Sequence, residues 1–331
     1  MLRLARHRNP KHSVTKALTD PMTEILQPDA RGIARAAAVL TAGGLVALPT
    51  ETVYGLAADA RNGTAVARIY EAKGRPSFNP LIVHLADAEH ARRYGVWSDN
   101  AEILAAAFWP GPLTLVLPLA DNHGLSSLVT AGLDSVALRV PAHPTARAIL
   151  QAFDGPIAAP SANPSGRISA TTAAHVLAGL DGRIDAVVDD GPCAVGVEST
   201  IIGLNHATPT LLRAGGLPVE AIEAALGMQI DVADGAEIIA PGQMASHYAP
   251  AAQVRLDAKT ALDGEVMLGF GAVDGDLNLS PSGDLSEAAA NLFDCLHALD
   301  ALAKPIAVAP IPDHGLGRAI NDRLRRAAAP R

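Results

Sequence analysis

Hydrophobic residues fall along this chain in two alternating patterns, short continuous apolar runs and apolar positions three or four residues apart. The first pattern is typical of buried strands and the second of helices packed on a sheet. The runs predict strands over 45–48, 81–85, 113–119, 136–140, 157–159, 186–189, 199–204 and 210–213. The spaced positions predict helices over 30–42, 64–73, 100–108, 145–153, 171–178 and 218–226. This alternation predicts an α/β class, and the hairpin formed by the last two strands makes the sheet mixed and twisted.

A second, smaller unit is predicted near the C-terminus. The pattern loosens over 228–250, which we interpret as a linker, and it resumes with strands over 253–256, 266–270 and 306–309. Helices are predicted over 285–299 and, as a basic helix, over 317–328. The unit over 251–331 is therefore a small Rossmann-like α/β domain, and the absence of a GxGxxG motif gives no support for dinucleotide binding. The first domain covers 22–227.

Composition narrows the class of protein. A chain of 331 residues with 49% hydrophobic and 18% charged residues is long enough for two folded domains. Its formal net charge of −8 argues against broad adhesion to nucleic acid or to anionic membranes. Cys193 and Cys295 form no CxxC pair, and no apolar run approaches the roughly 18 residues that span a bilayer. We therefore expect a cytoplasmic protein with reduced thiols.

The first 21 residues differ from the rest. They carry five Lys or Arg residues opposed only by Asp20, and they have no apolar h-region, which excludes a secretory signal. We predict a disordered basic tail over 1–21, and the start at Met1 or at Met22 stays open because the helical and strand patterns begin only after Met22.

The segment 73–84 carries the strongest chemical signal. Lys73 and Arg75 lie two apart, so on an irregular segment both cations can point the same way and bind phosphate or carboxylate oxygens. A solvated basic loop is the alternative for this pair considered alone. His84 ends the strand that follows, where a histidine buried in the core is the usual reading and metal ligation is disfavoured.

Other polar residues interrupt the ends of apolar strands, where sites in α/β sheets are found. Arg139 and Arg213 each end a strand and need an anionic partner, either a carboxylate of the protein or one of a ligand. Ser161 and Asn163 follow a strand, and 50–52 follows another, although ordinary turn chemistry explains both. The chain has neither a GxSxG elbow nor a Walker A motif, so these residues alone predict an anion-binding α/β enzyme and no more.

Six motifs, taken together and in order, resemble the Sua5/YrdC family of threonylcarbamoyl-AMP synthases. They are LPTETVYGL at 48–56, KGRPSFNPLIVH at 73–84, WPGPLT at 109–114, PSANPSG at 160–166, GVESTI at 196–201 and LRAG at 212–215. The resemblance runs from about 25 to 226 and continues through His247-Tyr248-Ala249-Pro250, which looks like the linker of the long, Sua5-type members. It implies a YrdC-like catalytic domain over 22–227 followed by a Sua5-type C-terminal domain.

The resemblance implies a nucleotidyltransferase that makes L-threonylcarbamoyladenylate and pyrophosphate from L-threonine, bicarbonate and ATP. The product would pass to the proteins that form threonylcarbamoyladenosine in tRNA, and Mg²⁺ is expected to act with ATP. The family's KxR and SxN tetrad falls on Lys73, Arg75, Ser161 and Asn163, with Lys73 and Arg75 also expected to stabilise the charge that develops in the reaction. Further nucleotide contacts match Asn79, Ser135, Ser169, Arg213 and Tyr248, and the threonine contacts match Thr52, His84, Arg139 and Ser199.

Two other functions stay open beside this one. Small members of the family have been interpreted as RNA-binding modules, and a related enzyme class transfers carbamoyl groups during metallocentre maturation. The acidic balance and the lack of an aromatic platform disfavour RNA, and the modules of the carbamoyl-transfer class are missing. The linker over 228–250 is expected to close over the site as a lid. The family's usual cations are replaced there by Met244, Ala245 and Ser246, which puts any linker contact to phosphate in doubt.

Overall fold

The computed structural model describes residues 22–206, 208–233 and 246–330. The predicted tail over 1–21 lies outside the described residues, and so does the part of the predicted linker over 234–245, including Met244 and Ala245. Everything below concerns the described part of the chain.

The first domain is built on a mixed sheet of 11 strands in the order β1-β8-β2-β3-β7-β4-β6-β5-β9-β10-β11. The sheet contains parallel pairs such as β4 with β6 and antiparallel pairs such as β9 with β10, the predicted hairpin. The strands are β1 (Glu24–Leu26), β2 (Val46–Leu48), β3 (Gly55–Asp59), β4 (Ile82–His84), β5 (Leu113–Pro118), β6 (Ser135–Arg139), β7 (Ile157–Ala158), β8 (Ala186–Val188), β9 (Thr200–Gly203), β10 (Thr210–Arg213) and β11 (Asp231–Val232).

Helices cover much of this sheet and divide its core into separate clusters. The helices are α1 (Ala30–Thr41), α2 (Gly63–Lys73), α3 (Ala88–Ala91), α4 (Asp99–Phe108), α5 (Ser127–Thr130), α6 (Pro144–Phe153), α7 (Ala173–Leu180) and α8 (Val219–Leu226). Residues of α1 and α6, among them Leu40 and Ile149, form one apolar cluster with β2 and β8. A larger cluster joins α2 and α4 to alternate positions of the central strands, including Leu56, Val83 and Leu115.

The end of α2 shapes the KxR segment. Its N-cap is Asn62, whose side chain accepts from Thr64 N and Ala65 N, so the helix begins at Gly63, one residue before the predicted start. Lys73 is the last helical residue, and Gly74 follows in the left-handed region at φ 61°, which a glycine adopts without steric cost. The chain therefore turns sharply between the two cations of the motif.

The second domain is a sheet of four parallel strands in the order β12-β15-β13-β14 with two helices. The elements are β12 (Val254–Arg255), β13 (Val266–Gly269), β14 (Leu277–Asn278), α9 (Leu285–Asp300), β15 (Ile306–Val308) and α10 (Gly317–Ala328). The mixed sheet and this small Rossmann-like unit confirm the predicted fold class. No helix in the described ranges is long and apolar enough to cross a membrane.

The two domains share one apolar cluster. Val53, Ile168 and Val197 of the first domain pack in the same buried cluster as residues of α9 and β13. The backbones also approach closely, because a Cβ added at Gly196 would lie 2.4 Å from Ala289 O. The contact between the domains is therefore close-packed.

Candidate functional site

A cavity lies where the first domain meets the end of the linker. It has a volume of about 40 Å³, close to the roughly 30 Å³ that one water molecule occupies in the liquid. Ile82 and His84 both line it, and residues two apart on a strand share one face of a sheet. The cavity therefore extends over the face of the central strands, beyond the strand ends where the sequence placed the site. The other lining residues are Thr50, Val53, Gly55, Arg75, Arg139, Ala159, Pro160, Ser161, Glu198, Ser199, Arg213, His247 and Tyr248.

Lys73 joins the two halves of the predicted tetrad. Its ammonium is 3% exposed and donates to Ser161 O and Asn163 O, both at 2.5 Å. Burial and the neighbouring Arg75 hold the pKa of Lys73 well below its usual range. A lysine ammonium has three donors, so these two bonds leave one for another acceptor. Lys73 thus fixes the position of the SxN loop relative to the end of α2.

Arg75 lines the cavity while its guanidinium orders the loop that follows. Its Nη2 donates to Pro80 O at 2.9 Å, and its Nε donates to Asn79 O at 3.3 Å. Burial lowers the pKa of Arg75 to about 10. The Asn79 side chain is fully buried, and neither of its amide atoms has a hydrogen-bond partner among the described residues. Buried amides are normally satisfied, so this asparagine is poised to bind a ligand or a water molecule.

A third buried cation, Arg139, is paired with Glu51. Arg139 Nη2 donates to Glu51 Oε1 at 2.7 Å, and the other oxygen of that carboxylate accepts from Ala142 N at 3.1 Å. Burial raises the pKa of Glu51, but the charge and hydrogen bond of Arg139 outweigh it and hold the pKa below its usual value. Arg139 lies beside His84 in register on β6 and β4, and its Nε has no partner among the described residues. The pair leaves part of the guanidinium available in the cavity.

Several hydroxyls and one more arginine also line the cavity or contact residues that line it. Thr114 and Ser199 share a hydrogen bond of 2.7 Å between their hydroxyls. Arg213 donates through Nη2 to Ser199 O at 2.9 Å and to Ser199 Oγ at 3.2 Å. Thr52 shares a 2.8 Å hydroxyl bond with Thr50, which lines the cavity.

Glu198 is the carboxylate on the other side. Ser169 Oγ donates to its Oε1 at 2.5 Å, and Arg323 Nε donates to its Oε2 at 2.8 Å. Burial raises the pKa of Glu198, whereas the charges of Arg323 and Arg213 lower it and prevail. The carboxylate therefore stays ionised with both oxygens engaged.

Tyr248 closes the cavity from the linker. It is 1% exposed, and its φ of 60° places a bulky residue in the left-handed region, where backbone strain is expected. The guanidinium of Arg323 lies 4.9 Å from its ring centroid, and the ring of His247 lies at 4.1 Å. The Tyr248 hydroxyl and the Nδ1 atom of His247 are buried without a partner among the described residues. Burial lowers the pKa of His247 to about 3.

The structure brings most of the predicted site residues together. Arg75, His84, Arg139, Ser161, Ser199, Arg213 and Tyr248 line the cavity, and Lys73, Asn163, Thr52, Asn79 and Ser169 contact residues next to it. Ser135 is the exception: it does not line the cavity, and it begins β6 while Arg139 ends it. Four residues of strand span about 13 Å, so Ser135 lies far from Arg139, which does line the cavity.

Sequence reasoning did not find the partner roles of Glu198, Glu51 and Arg323. The sequence did indicate that Arg323 is buried, because Arg323 lies on the same face of α10 as the apolar residues Ile320 and Leu324. A charge in the apolar stripe of a helix needs a buried partner.

The balance of buried charges at the site indicates which kind of ligand it can bind. Among the described residues, five cationic side chains are at most 9% exposed, whereas only two carboxylates, those of Glu51 and Glu198, are buried. In a chain of net charge −8, this local excess of positive charge favours an anionic ligand. The cations are Lys73, Arg75, Arg139, Arg213 and Arg323. The fold and the site together define a two-domain α/β protein with a cavity lined by cationic side chains where the first domain meets the end of the linker.

Comparison with known proteins identifies the family. Residues 38–215 match the Sua5/YciO/YrdC family, described as "Telomere recombination", and residues 217–329 match the threonylcarbamoyl-AMP synthase C-terminal domain. The chain therefore belongs to the Sua5/YrdC family and carries the Sua5-type C-terminal domain, which confirms the resemblance seen in the motifs.

Full-length relatives agree with this assignment. The chain is 42% identical to the threonylcarbamoyl-AMP synthase of Bacillus subtilis, over 96% of this chain and 99% of the relative. It is 41% identical to the Pyrococcus abyssi protein of the same name, over 88% and 93% of the two chains. The crystal structure of P. abyssi Sua5 complexed with L-threonine superposes with a TM-score of 0.86 and 39% identity, covering 92% of this chain and 98% of that one.

Proposed function

We propose that this protein is an L-threonylcarbamoyladenylate synthase, which makes its product and pyrophosphate from L-threonine, bicarbonate and ATP. One observation carries the proposal: the four tetrad residues meet in one cationic cluster. Lys73 binds the carbonyls of Ser161 and Asn163, and Arg75 and Ser161 line the same cavity as Arg139. Family membership over the whole chain supplies the substrates.

The reaction needs no protein nucleophile. The amine of threonine takes up bicarbonate and releases water, which gives a carbamate. A carbamate oxygen then attacks the α-phosphorus of ATP, forming the new P–O bond as the bond to pyrophosphate breaks. Catalysis of such a transfer consists of positioning the reactants and stabilising charge on the phosphates.

Threonine is assigned to the side of the cavity that contains Arg139. Glu51 fixes one edge of the guanidinium, which leaves its remaining donors for the carboxylate of the amino acid. His84 lies beside Arg139 in register, and Ser199 and Thr52 supply nearby hydroxyls. The P. abyssi Sua5 complex with L-threonine supports a threonine pocket in this fold.

The triphosphate is assigned to the side that contains Lys73 and Arg75. Asn79 Nδ2, a buried donor without a partner among the described residues, and Arg213 can donate to phosphate oxygens. The Oδ1 atoms of Asn79 and Asn163, which are also unpartnered among these residues, can accept from ribose hydroxyls. Mg²⁺ is proposed to arrive with ATP as part of the substrate. Among the described residues no cluster of three His, Cys, Asp or Glu side chains could hold a metal ion, and both oxygens of Glu198 are engaged.

The end of the linker, residues 246–250, is proposed to act as a lid. A cavity of about 40 Å³ cannot admit ATP and threonine, because sites for ligands of that size are roughly 300–1,000 Å³. Tyr248 is a buried residue of the cavity wall, so we infer that substrate entry requires this segment to move. The strained backbone of Tyr248 suits a residue that changes conformation.

The chemistry of the product indicates that the reaction is followed by transfer of the threonylcarbamoyl group. An acyl adenylate of this kind is a reactive mixed anhydride, so we propose that proteins that transfer the threonylcarbamoyl group to tRNA receive it. A cytoplasmic location is proposed on the two buried free cysteines, Cys193 and Cys295.

The test is to measure pyrophosphate release with ATP, bicarbonate and each amino acid in turn. Release is expected only when both L-threonine and bicarbonate are present. Lys73→Ala and Arg75→Ala are each expected to lower the rate about 100-fold or more, since each removes charge stabilisation. Arg35→Ala, which breaks an exposed ion pair with Glu24, is the matched control and should keep the native rate.

Two results would contradict the proposal. Equal pyrophosphate release without any amino acid would exclude the synthase. Tight binding of RNA without any turnover would favour the RNA-binding alternative.

A further inference from the structure

A buried arginine of the C-terminal domain reaches the active site. Arg323 lies in α10 with no exposed surface, on the apolar face formed by Ile320 and Leu324. Taking a guanidinium out of water costs several kcal/mol unless it is paired and hydrogen-bonded. Its position therefore demands partners, and those partners lie in the other domain.

The contacts of Arg323 cross the domain boundary. Its Nε donates to Glu198 Oε2 at 2.8 Å, and its Nη1 donates to Ala214 O at 2.9 Å, more than 100 residues earlier in the chain. Asp322 supplies a second carboxylate at 2.7 Å from Nη1. Arg323 is thus neutralised and oriented by groups that flank the cavity, although it does not line the cavity itself.

Two cavity residues depend on this guanidinium for their position. Glu198 is held from one side by Arg323 and from the other by the Ser169 hydroxyl, so its carboxylate has one fixed orientation. Tyr248 is held by Arg323 at 4.9 Å from its ring and by Phe293 of α9 at 5.8 Å. A strained backbone such as that of Tyr248 persists only where its surroundings hold it in place.

We propose that Arg323 is a positioning residue of the synthase, through which the C-terminal domain orders Glu198, Ser169 and Tyr248 on the nucleotide side of the site. This inference rests on the proposed function. The C-terminal domain then contributes to the reaction, because Arg323 is supplied by α10 and the first domain has no such cation of its own at this position.

The same helix offers a matched control. Arg318, also in α10, pairs with Glu220 of α8 at 3.3 Å, and its side chain is 41% exposed. This ion pair also joins α10 to the first domain, but neither residue lines the cavity. A comparison of the two arginines separates a role in positioning from a role in docking the domains.

The experiment measures kcat and KM for ATP, and the affinity for L-threonine by calorimetry, in the full-length protein. Arg323→Met is expected to lower kcat/KM for ATP about 10- to 100-fold, as misplaced site residues do. Threonine affinity should stay within about twofold, since Arg139 and Glu51 are untouched. Arg323→Lys keeps the charge without the guanidinium geometry and is expected to recover part of the loss. Arg318→Met should match the native protein.

Each outcome decides the question. Native kcat/KM in Arg323→Met overturns the inference, and so does an equal loss of ATP and threonine binding. If Arg323→Met fails to fold, Arg323→Lys decides: a folded variant with impaired use of ATP supports the role. A folded, fully active lysine variant, or failure of both variants to fold, overturns it. An inactive native protein would instead reject the proposed synthase and leave these variants to be judged by ATP affinity.

Discussion

Two buried arginine–glutamate pairs flank the cavity, and they differ in which residue of the pair lines it: the arginine in one and the glutamate in the other. Arg139 and Glu51 both belong to the first domain, and the guanidinium lines the cavity with one nitrogen, Nε, unpartnered among the described residues. Arg323 and Glu198 join two domains, and there Glu198 lines the cavity while Arg323 does not. Arg323 also has one buried nitrogen, Nη2, without a partner among the described residues, so the two pairs differ in which member lines the cavity.

The difference shows that the function of a buried arginine cannot be inferred only from its burial and its pairing with a glutamate. Both arginines are at most 4% exposed and both glutamates have lowered pKa values. The member of each pair that faces the cavity is the one that can meet a substrate. Arg139 is therefore the candidate ligand clamp, whereas Arg323 acts through Glu198 and Tyr248.

The largest effect is expected from Arg139→Met. It removes the proposed carboxylate clamp and leaves Glu51 buried without its partner, so kcat/KM for threonine should fall about 100- to 1,000-fold. The measurement is pyrophosphate release as a function of threonine concentration. Arg61→Met, which breaks a partly exposed pair with Asp59, is the control. A change below tenfold would remove Arg139 from the threonine site.

The next effect concerns the choice of amino acid. L-serine lacks one methyl group, and one lost apolar contact is worth about 1–3 kcal/mol, so serine should be used roughly 5- to 150-fold less efficiently. The ratio of the two efficiencies should be unchanged in Arg323→Met, because that residue acts on the nucleotide side. If the ratio of threonine to serine efficiency changes in Arg323→Met, Arg323 also affects the threonine side of the site and the two pairs do not act independently.

A smaller effect should come from the partner of the clamp. Glu51→Gln keeps the size of the side chain but weakens its hold on Arg139, which should raise KM for threonine about tenfold and leave KM for ATP nearly constant. Glu198→Gln should show the opposite preference. Equal changes in both KM values for both variants would contradict the division of the site.

The smallest effect is a dependence of stability on pH. Burial lowers the pKa of both His84 and His247 to about 3, against about 6.5 in the unfolded chain. Below pH 6.5 the unfolded state binds more protons, so the free energy of unfolding should fall as the pH drops from 6.5 towards 3 and stay level above 6.5. His84 lies near Arg139 and Glu51, and His247 near Arg75, Lys73, Glu198 and Arg323.

Denaturant unfolding at pH 7.5 and pH 5.0 checks this expectation. Each histidine contributes up to about 2 kcal/mol of the loss between pH 6.5 and 5.0, at about 1.4 kcal/mol per pH unit. His84→Gln and His247→Gln should each reduce the loss. If neither does, the histidines are not neutral in the folded protein.

Much of the fold could be predicted because its signals are local. The apolar runs placed β10 and its hairpin partner β9, and the spacing in α10 gave both of its ends. The strand β3 was missed because Gly55 and the small residues Ala57 and Ala58 give no strand pattern, and only pairing with β2 and β7 makes this segment a strand. Tertiary pairing of this kind leaves no periodicity in the sequence.

The candidate site was predictable as a list of residues but not as a set of contacts. The motifs named Lys73, yet nothing local indicates that its ammonium binds two backbone carbonyls 88 and 90 residues away. Charges on α10 were interpreted as a basic helix, and the burial of Arg323 emerges only when that helix packs on another domain. Long-range partners depend on topology, which composition and spacing do not encode.

The shared apolar cluster has a consequence for how the molecule melts. Val53, Ile168 and Val197 belong to the same cluster as the core of α9, so neither domain can lose its packing without exposing apolar surface of the other. The close backbone approach at Gly196 leaves no layer of water along which the two units could separate. Calorimetry should therefore record one cooperative heat-absorption peak for the two domains together, with a van't Hoff enthalpy equal to the calorimetric enthalpy of the whole chain.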